Sequence, residues 1–284
     1  MFPAMLIDRL AARFGIKRPP IVPVVRLDGV IGRAGAGRGS GLTLAGLAPV
    51  LDRAFAMPGA KDVALVVNSP GGSPAQSSLI ARRIRDLATA KGIRVTVFVE
   101  DVAASGGYWL ALAGDEIIVD PASLVGSIGV IAAGFGFADA IGRLGIERRV
   151  HTAGERKSLW DPFLPEKPED VARLLAIQAD MHQVFRDHVT ARRGERLKGP
   201  PDLLFSGEIW VGARAVEMGL ADGIGEIRST MRARLGADVR LPLVNPPRKR
   251  RFNLLPKLGA APADWIGAAV DAAEERANWA RWGL

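Results

Sequence analysis

Two stretches of the chain have the largely apolar pattern of strands that are buried on both faces of a sheet. They are residues 62–68 (DVALVVN) and 93–99 (IRVTVFV), and each is followed by a turn of small residues and a segment with helical periodicity. Strands of this kind that alternate with helices indicate a mostly parallel sheet with right-handed crossovers. Ligands bind such sheets beyond the carboxyl ends of the strands. We therefore predict an α/β fold in which the turns at 68–73 and 101–107 face one crevice.

Weaker patterns predict further elements on either side of these strands. The helix at 43–56 has Thr43 as its expected N-cap, and the helix at 211–218 is expected to end at Gly219. The five glycines at 32–41 predict a loop, and a dinucleotide-binding site is excluded there because the glycines lack the spacing and the following helix of that fingerprint. The remaining expected strands lie at 21–27, 116–119, 128–131 and 146–150, and the remaining helices at 74–90, 138–144 and 169–192.

The pattern divides the chain into a body and two terminal segments. Residues 1–20 have apolar side chains every fourth position, which predicts an amphipathic helix, and Asp8 and Arg9 interrupt any secretory apolar core. Residues 21–243 form the predicted catalytic body. Residues 244–284 are predicted to be a basic linker and a second amphipathic helix. Both terminal helices are expected to dock on the body or on a neighbouring subunit, with contact to a membrane surface as the alternative.

Composition and charge exclude several classes of site. The 284 residues include no cysteine, which excludes disulfides, thiolate catalysis and cysteine-bound zinc. The net charge is +8, but the one dense basic run lies at 248–251, and the chain has a single tyrosine. Nucleic-acid binding is therefore disfavoured, and an anionic membrane surface suits the basic run better. The longest uncharged run, 121–138, is interrupted by serines and glycines, so we predict no transmembrane helix. We expect a cytoplasmic protein, with peripheral attachment to the inner membrane as the alternative.

Ser105 is the candidate nucleophile. It lies in a small-residue turn between the strand at 93–99 and a helix-like segment at 108–113. A serine at a helix N-terminus has free backbone N–H groups beside it, which favour an alkoxide. A turn that serves packing alone is the alternative interpretation of this stretch. The catalytic interpretation requires a base and an oxyanion hole elsewhere in the chain.

Lys157 is the preferred candidate for the base. Of the three histidines, His182 and His188 fall in the long predicted helix and are expected to be solvated or capping groups, and His151 is the alternative base. Lys157 is the one lysine between Lys91 and Lys167, among arginines that cannot deprotonate. A lysine acts as a base only when desolvation disfavours its charged form.

Three further residues complete the predicted site. The amine of a neutral lysine needs a neutral hydrogen-bond partner, and Ser127 is the candidate, with an ordinary turn residue as the alternative. Gly71 follows Pro70 in a tight turn where the backbone can approach a substrate closely. Gly106 comes directly after the candidate nucleophile. We therefore expect the backbone N–H groups of Gly71 and Gly106 to be the oxyanion donors.

Five segments of the chain follow one another in the order found in a known peptidase family. They are NSPGG at 68–72, ASGGY at 104–108, GSIGV at 126–130, GERK at 154–157 with DPF at 161–163, and GEIWVGARAVEMGLAD at 207–222. Together they resemble the signal peptide peptidase A family, the serine–lysine S49 peptidases, over residues 21–235. The resemblance implies a ClpP/crotonase-like fold, Ser105 as nucleophile, Lys157 as general base and Ser127 as the residue that orients the lysine. Gly71 and Gly106 would be the oxyanion donors.

The resemblance also implies a substrate class and an assembly. Substrates would be unfolded or membrane-derived peptides such as signal-peptide remnants, hydrolysed without a metal or any other cofactor. The chain would form homo-oligomers with active sites shared between subunits. Arg156 stands where the family commonly has an aromatic residue, and we expect no N-terminal membrane span of the kind that family members often carry. A crotonase-like acyl-CoA enzyme and a non-catalytic oligomeric or membrane scaffold are the alternative functions.

Overall fold

The computed structural model describes residues 19–32, 41–154, 156–244, 276 and 279–280. The two predicted terminal segments and the glycine loop at 32–41 lie almost entirely outside these residues. The chain divides into two compact units, and each is described here by itself. The first unit comprises the residues up to 128 and from 188 onward, and the second comprises residues 129–187.

The first unit is built on a mostly parallel sheet, as predicted. Five strands lie side by side in parallel in the order β1-β2-β3-β4-β7, β5 pairs in parallel with the last part of β3, and β6 pairs antiparallel with β5. The strands are β1 (Val24–Asp28), β2 (Asp62–Ser69), β3 (Arg94–Ala104), β4 (Glu116–Val119), β5 (Leu124–Gly126), β6 (Ile209–Val211) and β7 (Gly223–Ile224).

The helices confirm most of the sequence pattern to within two residues. They are α1 (Leu44–Phe55), α2 (Pro74–Lys91), α3 (Gly106–Ala111), α4 (Ala138–Arg143), α5 (Pro168–Arg193), α6 (Pro201–Leu204), α7 (Gly212–Glu217) and α8 (Ile227–Leu235), with a 3₁₀ turn at Gly194–Arg196. Thr43 caps α1 by accepting a 3.2 Å hydrogen bond from the N–H of Gly46. No helix in the described ranges is long and apolar enough to cross a bilayer.

Strand β2 shows why the central sheet produces a continuous apolar run. On one face of the sheet, Ala64 and Val66 join a buried cluster with Met231 of α8. The alternate residues of β2, which are Val63, Leu65 and Val67, are fully buried as well. Both faces of the strand are therefore covered, which is the environment that an uninterrupted apolar sequence predicts. Helices α1 and α3 contact the sheet, and α2 packs against both of them.

Three strand predictions need correction. The strand expected at 128–131 lies earlier, at β5, because the chain leaves the sheet at Ser127, and Ile131 is 74% exposed. The segment 146–150 forms no strand, and its charged residues make ion pairs instead, such as Arg148 with Asp161. Short apolar runs do not distinguish strands from loops by periodicity alone. Finally, β3 runs to Ala104, so most of the turn predicted at 101–107 is strand.

Candidate active site

Ser105 occupies the single-residue junction between β3 and α3. Its backbone has φ 51° and ψ −119°, and its side chain is half-buried. Positive φ is strained for any residue with a Cβ, and such strain is concentrated at functional sites. In the described part of the chain, three non-glycine residues have positive φ: Ser105, Ser127 and Trp160. Two of these three are the serines that the sequence analysis selected.

The glycine turn after β2 meets the Ser105 junction, as predicted. A Cβ placed on Gly71 would lie 2.9 Å from the nitrogen of Gly106 and 2.9 Å from Cβ of Ser105. Gly71 also has φ 108°, which favours glycine. Gly106 is the first residue of α3, where no helical carbonyl is available to its N–H. The two turns therefore form one small pocket wall of backbone atoms beside the serine.

The geometry adds a second candidate donor in the glycine turn. The N–H of Gly71 donates a 3.2 Å hydrogen bond to Oγ of Ser69. To bind an oxyanion, this N–H would have to share its hydrogen between Ser69 and the substrate, or give up the bond to Ser69. The nitrogen of Gly72 lies 3.3 Å from the position that a Cβ on Gly106 would occupy. Ile31 bonds to the residues on either side of Gly72 and not to its N–H. The sequence analysis overlooked Gly72, although the tandem glycines were the available signal.

Ser127 lies beside Ser105 at the end of the neighbouring strand. The β3–β5 register pairs Ala104 with Gly126, so the two serines are the next residues on adjacent strands. The N–H of Ser105 donates a 2.9 Å hydrogen bond to the carbonyl of Gly126, and the N–H of Ser127 donates a 2.7 Å bond to the carbonyl of Glu208. Like Ser105, Ser127 is half-buried. The first unit thus brings together Ser105, Ser127, Gly71 and Gly106.

Lys157 belongs to the second unit, so these four residues are brought together without it. Its side chain and that of Arg156 are exposed. Both residues line an open depression of about 470 Å³ on the surface of the second unit. A turn holds this segment, in which the N–H of Lys157 donates a 3.2 Å hydrogen bond to the carbonyl of Gly154.

The histidines are placed differently from the sequence expectation. His151 is exposed and does not follow a strand. His188 is half-buried and is not a helix cap, because it lies within α5; its ring stacks on Trp109, one turn after Ser105, with 4.8 Å between ring centroids. Its Nε2 atom is buried without a hydrogen-bond partner among the described residues. Burial, together with the charge of Arg192, lowers the pKa of His188 to about 4.

The second unit contains an aromatic cavity that the sequence analysis did not anticipate. Its volume is about 990 Å³, and its lining includes Phe135, Phe137 and Trp160. The rings of Phe137 and Phe163 stack with 5.6 Å between centroids, and the N–H of Phe137 donates a 2.6 Å hydrogen bond to the carbonyl of Pro162. These aromatic residues are spread over about thirty positions without a period, so only the fold reveals that they cluster.

The family model described as "Peptidase family S49" matches residues 88–240, which is more than half of the chain. The chain belongs to peptidase family S49. The matched region includes Ser105, Ser127 and Lys157, and the resemblance inferred from the motifs is confirmed at the level of the family. Gly71 precedes the matched region.

Two relatives align with different fractions of this S49 chain. The chain is 50% identical over 272 residues to a protein of Brucella abortus named Na(+)/H(+) antiporter NhaA, which covers 93% of this chain and 37% of that protein. It is 32% identical over 160 residues to the chloroplastic serine protease SPPA of Arabidopsis thaliana, which covers 56% of this chain and 23% of that protein. The chain therefore spans well under half of the length of either relative.

A solved structure shows the same fold. The 1510-N membrane-bound stomatin-specific protease, solved as a lysine-to-alanine mutant with a substrate peptide, superposes with a TM-score of 0.50. The two chains are 14% identical, and the match covers 90% of this chain and all of the other. The α/β fold of the S49 chain is thereby confirmed.

Proposed function

We propose that this chain is a serine endopeptidase in which Ser105 is the nucleophile and Lys157 is the general base. The observation that carries the proposal is the conformation of Ser105, which is strained at φ 51° between β3 and α3. Backbone N–H groups of Gly106 and of the glycine turn lie around this residue. Such an arrangement stabilises the charge that develops on a carbonyl oxygen during acyl transfer.

The proposed reaction proceeds through an acyl-enzyme. Oγ of Ser105 forms a bond to the scissile carbonyl carbon while its proton passes to the neutral Nζ of Lys157. The negative carbonyl oxygen is held by the N–H of Gly106 and by an N–H of Gly71 or Gly72. The C–N bond then breaks, and the departing amine takes the proton from Lys157. Water, deprotonated by the same lysine, hydrolyses the ester and regenerates Ser105.

Ser127 is proposed to orient the lysine. A general base must lie within hydrogen-bond reach of the proton that it removes, and a neutral amine needs a partner to fix its direction. Ser127 directly follows β5, which pairs with the end of β3, and the bond from its N–H to the carbonyl of Glu208 holds its backbone in place. Its hydroxyl can accept a hydrogen bond from one amine hydrogen while the nitrogen lone pair faces Ser105.

We further propose that a second copy of the chain covers Lys157 and that active sites are shared between subunits. Lys157 is exposed in the single chain, whereas a basic lysine requires a desolvated environment. Ten large apolar side chains of the second unit are exposed, which is typical of an interaction surface: Ile131, Phe135, Phe137, Leu144, Ile146, Trp160, Phe163, Leu175, Met181 and Val184. Mixing inactive Ser105→Ala and Lys157→Ala variants should restore activity to about one quarter of wild type by random assortment in a symmetric ring.

The proposed substrates are unfolded peptides rich in apolar residues, including membrane-derived peptides such as signal-peptide remnants. The aromatic cavity supports this class, because it offers a concave apolar surface on the unit that carries Lys157. Ser158, which directly follows Lys157, lines the cavity. Peripheral membrane contact through residues 246–284 stays a prediction, and flotation with anionic liposomes, with and without this segment, tests it.

A casein-cleavage assay tests the proposed activity. The Ser105→Ala variant should be inactive, and the matched control Ser206→Ala, at an exposed serine with a local bond to Leu203, should keep wild-type activity. Cleavage by Ser105→Ala at the wild-type rate would refute the proposal. Tight binding of coenzyme A without proteolysis would favour the acyl-CoA alternative, and a scaffold would show neither property.

A further inference from the structure

Strand β3 contains an irregularity five residues before Ser105. Its register with β2 passes from the pair Val67–Val99 to the pair Ser69–Ala103. Over that interval β2 advances by two residues and β3 by four, so β3 carries two extra residues. On its other edge, β3 pairs with β4 up to Val99 and with β5 from Val102 onward. The extra residues therefore form a bulge where the strand changes partner.

The side chain of Asn68 holds the bulge from the β2 side. Its Oδ1 accepts a 3.2 Å hydrogen bond from the N–H of Val102, and its Nδ2 donates a 2.7 Å bond to Oδ2 of Asp101. An asparagine before a turn usually bonds to its own backbone two residues later. Here the hydroxyl of Ser69 makes the bond within the turn, because it accepts a hydrogen bond from the N–H of Gly71. Asn68 is therefore engaged with the neighbouring strand and not with its own turn.

The side chain of Ser123 holds the bulge from the other side. Its hydroxyl is 3.1 Å from the carbonyl oxygen of Val99 and 2.5 Å from that of Glu100. Oγ of Ser123 also accepts a 2.9 Å hydrogen bond from the N–H of Asp120. Ser123 is 1% exposed, so these contacts satisfy a hydroxyl that has no access to water.

The bulge determines which residue of β3 arrives beside the glycine turn. Two strand residues span about 7 Å, so without the bulge the residues after Asp101 would be displaced by that distance along β2. The register of β2 with β3 shifts by these two residues between the pair Val67–Val99 and the pair Ser69–Ala103. Ser105 and Gly71, which approach each other closely, each lie two residues after the second pair. A shift far smaller than this, about 1 Å, can reduce catalysis by a factor on the order of 100.

We propose that Asn68 and Ser123 are positioning residues that hold this bulge and thereby place Ser105 beside Gly71 and Gly106. The inference rests on the proposed role of Ser105 as the nucleophile. It assigns a function to the first residue of the NSPGG motif, which the reaction itself does not use. Neither side chain is proposed to contact the substrate.

An exchange of the Asn68–Asp101 pair tests the proposal. In Asn68→Asp a carboxylate faces Asp101, and repulsion should open the bulge; kcat and the rate at which a fluorophosphonate labels Ser105 should fall about 30-fold, with KM little changed. In the double variant Asn68→Asp/Asp101→Asn, the carboxylate accepts from both the Val102 N–H and the new amide. Both rates should then return to within about threefold of wild type. Ser123→Ala should resemble Asn68→Asp.

Matched measurements separate positioning from a general loss of structure. Near-UV circular dichroism should be unchanged in the two exchange variants. Should Asn68→Asp fail to fold, Asp101→Ala at an exposed position provides the same test, with labelling expected to slow about fivefold. Equal labelling of wild type and of the variants with a disrupted pair, or no rescue by the double variant, would overturn the proposal. If wild type itself is not labelled at Ser105, the proposed function fails, and the positioning role fails with it.

Discussion

The backbone N–H of Ser105 donates a 2.9 Å hydrogen bond to the carbonyl of Gly126, the residue immediately before Ser127. This bond continues the parallel pairing of β3 and β5 past the end of β3. It places two serines with φ 51° next to each other at the carboxyl edge of the sheet. The regular pairing of β3 with β5 therefore holds in place the two strained serines that directly follow these strands.

The hydroxyl of Ser127 should matter for catalysis and not for folding. Ser127→Ala and Ser127→Gly both remove the group that orients Lys157, so each should lower kcat about 10- to 100-fold with KM little changed. Glycine also relieves the positive φ, so Ser127→Gly should be at least as stable as Ser127→Ala in urea denaturation. Wild-type kcat in both variants would show that the hydroxyl has no part in the reaction.

Gly71 should tolerate no side chain, for a reason beyond its φ of 108°. A Cβ there would lie 2.9 Å from the Gly106 nitrogen and from Cβ of Ser105, so Gly71→Ala should abolish labelling of Ser105 by a fluorophosphonate. Gly29 is the matched control, because its φ is 103° and a Cβ there would meet no atom within 4 Å. Gly29→Ala should lose about 1 kcal/mol of stability and still be labelled. Similar labelling of both variants would contradict the close approach.

The half-buried ring of His188 should make the protein less stable in mild acid. Its pKa of about 4 in the folded chain is below its ordinary value near 6.5, so the unfolded chain binds the proton more readily. The contribution of neutral His188 to the free energy of unfolding is therefore complete above about pH 6.5 and is lost progressively as the pH falls towards about 4. His188→Phe keeps a ring on Trp109 but cannot titrate. The pH dependence of its urea unfolding free energy should therefore be flatter over this window, and parallel curves would contradict the prediction.

The aromatic cavity should govern affinity for apolar peptides. Phe135 lines it and is 81% exposed, so Phe135→Ala should fold normally and raise KM for an apolar peptide about three- to tenfold. Labelling by a small phosphonate should be unaffected, because that reagent does not need the cavity. Leu79 of α2, which is 40% exposed and lies in neither the cavity nor the exposed apolar surface of the second unit, is the control. An equal rise in KM for Leu79→Ala would argue against a specific site.

The sequence predicted the sheet because Val63 to Val67 are buried on both faces, and this environment leaves a continuous apolar run. It also predicted that Gly71 would meet Ser105, since parallel strands end at one edge. The bulge could not be foreseen, because the charged pair Glu100–Asp101 resembles the end of a strand when long-range partners such as Ser123 are unknown. The aromatic cavity was missed for the same reason, since its residues share no local period.

The central claim is that the Ser105 hydroxyl is the group that reacts and that Lys157 activates it. The most direct measurement is the rate of fluorophosphonate labelling, with the modified residue located by peptide mass spectrometry. Wild type and the control Lys91→Ala should be modified at Ser105 at equal rates, Ser105→Ala should be unmodified, and Lys157→Ala should react at least about 1,000-fold more slowly. Labelling of Lys157→Ala at the wild-type rate, or modification at a residue other than Ser105, would contradict the account.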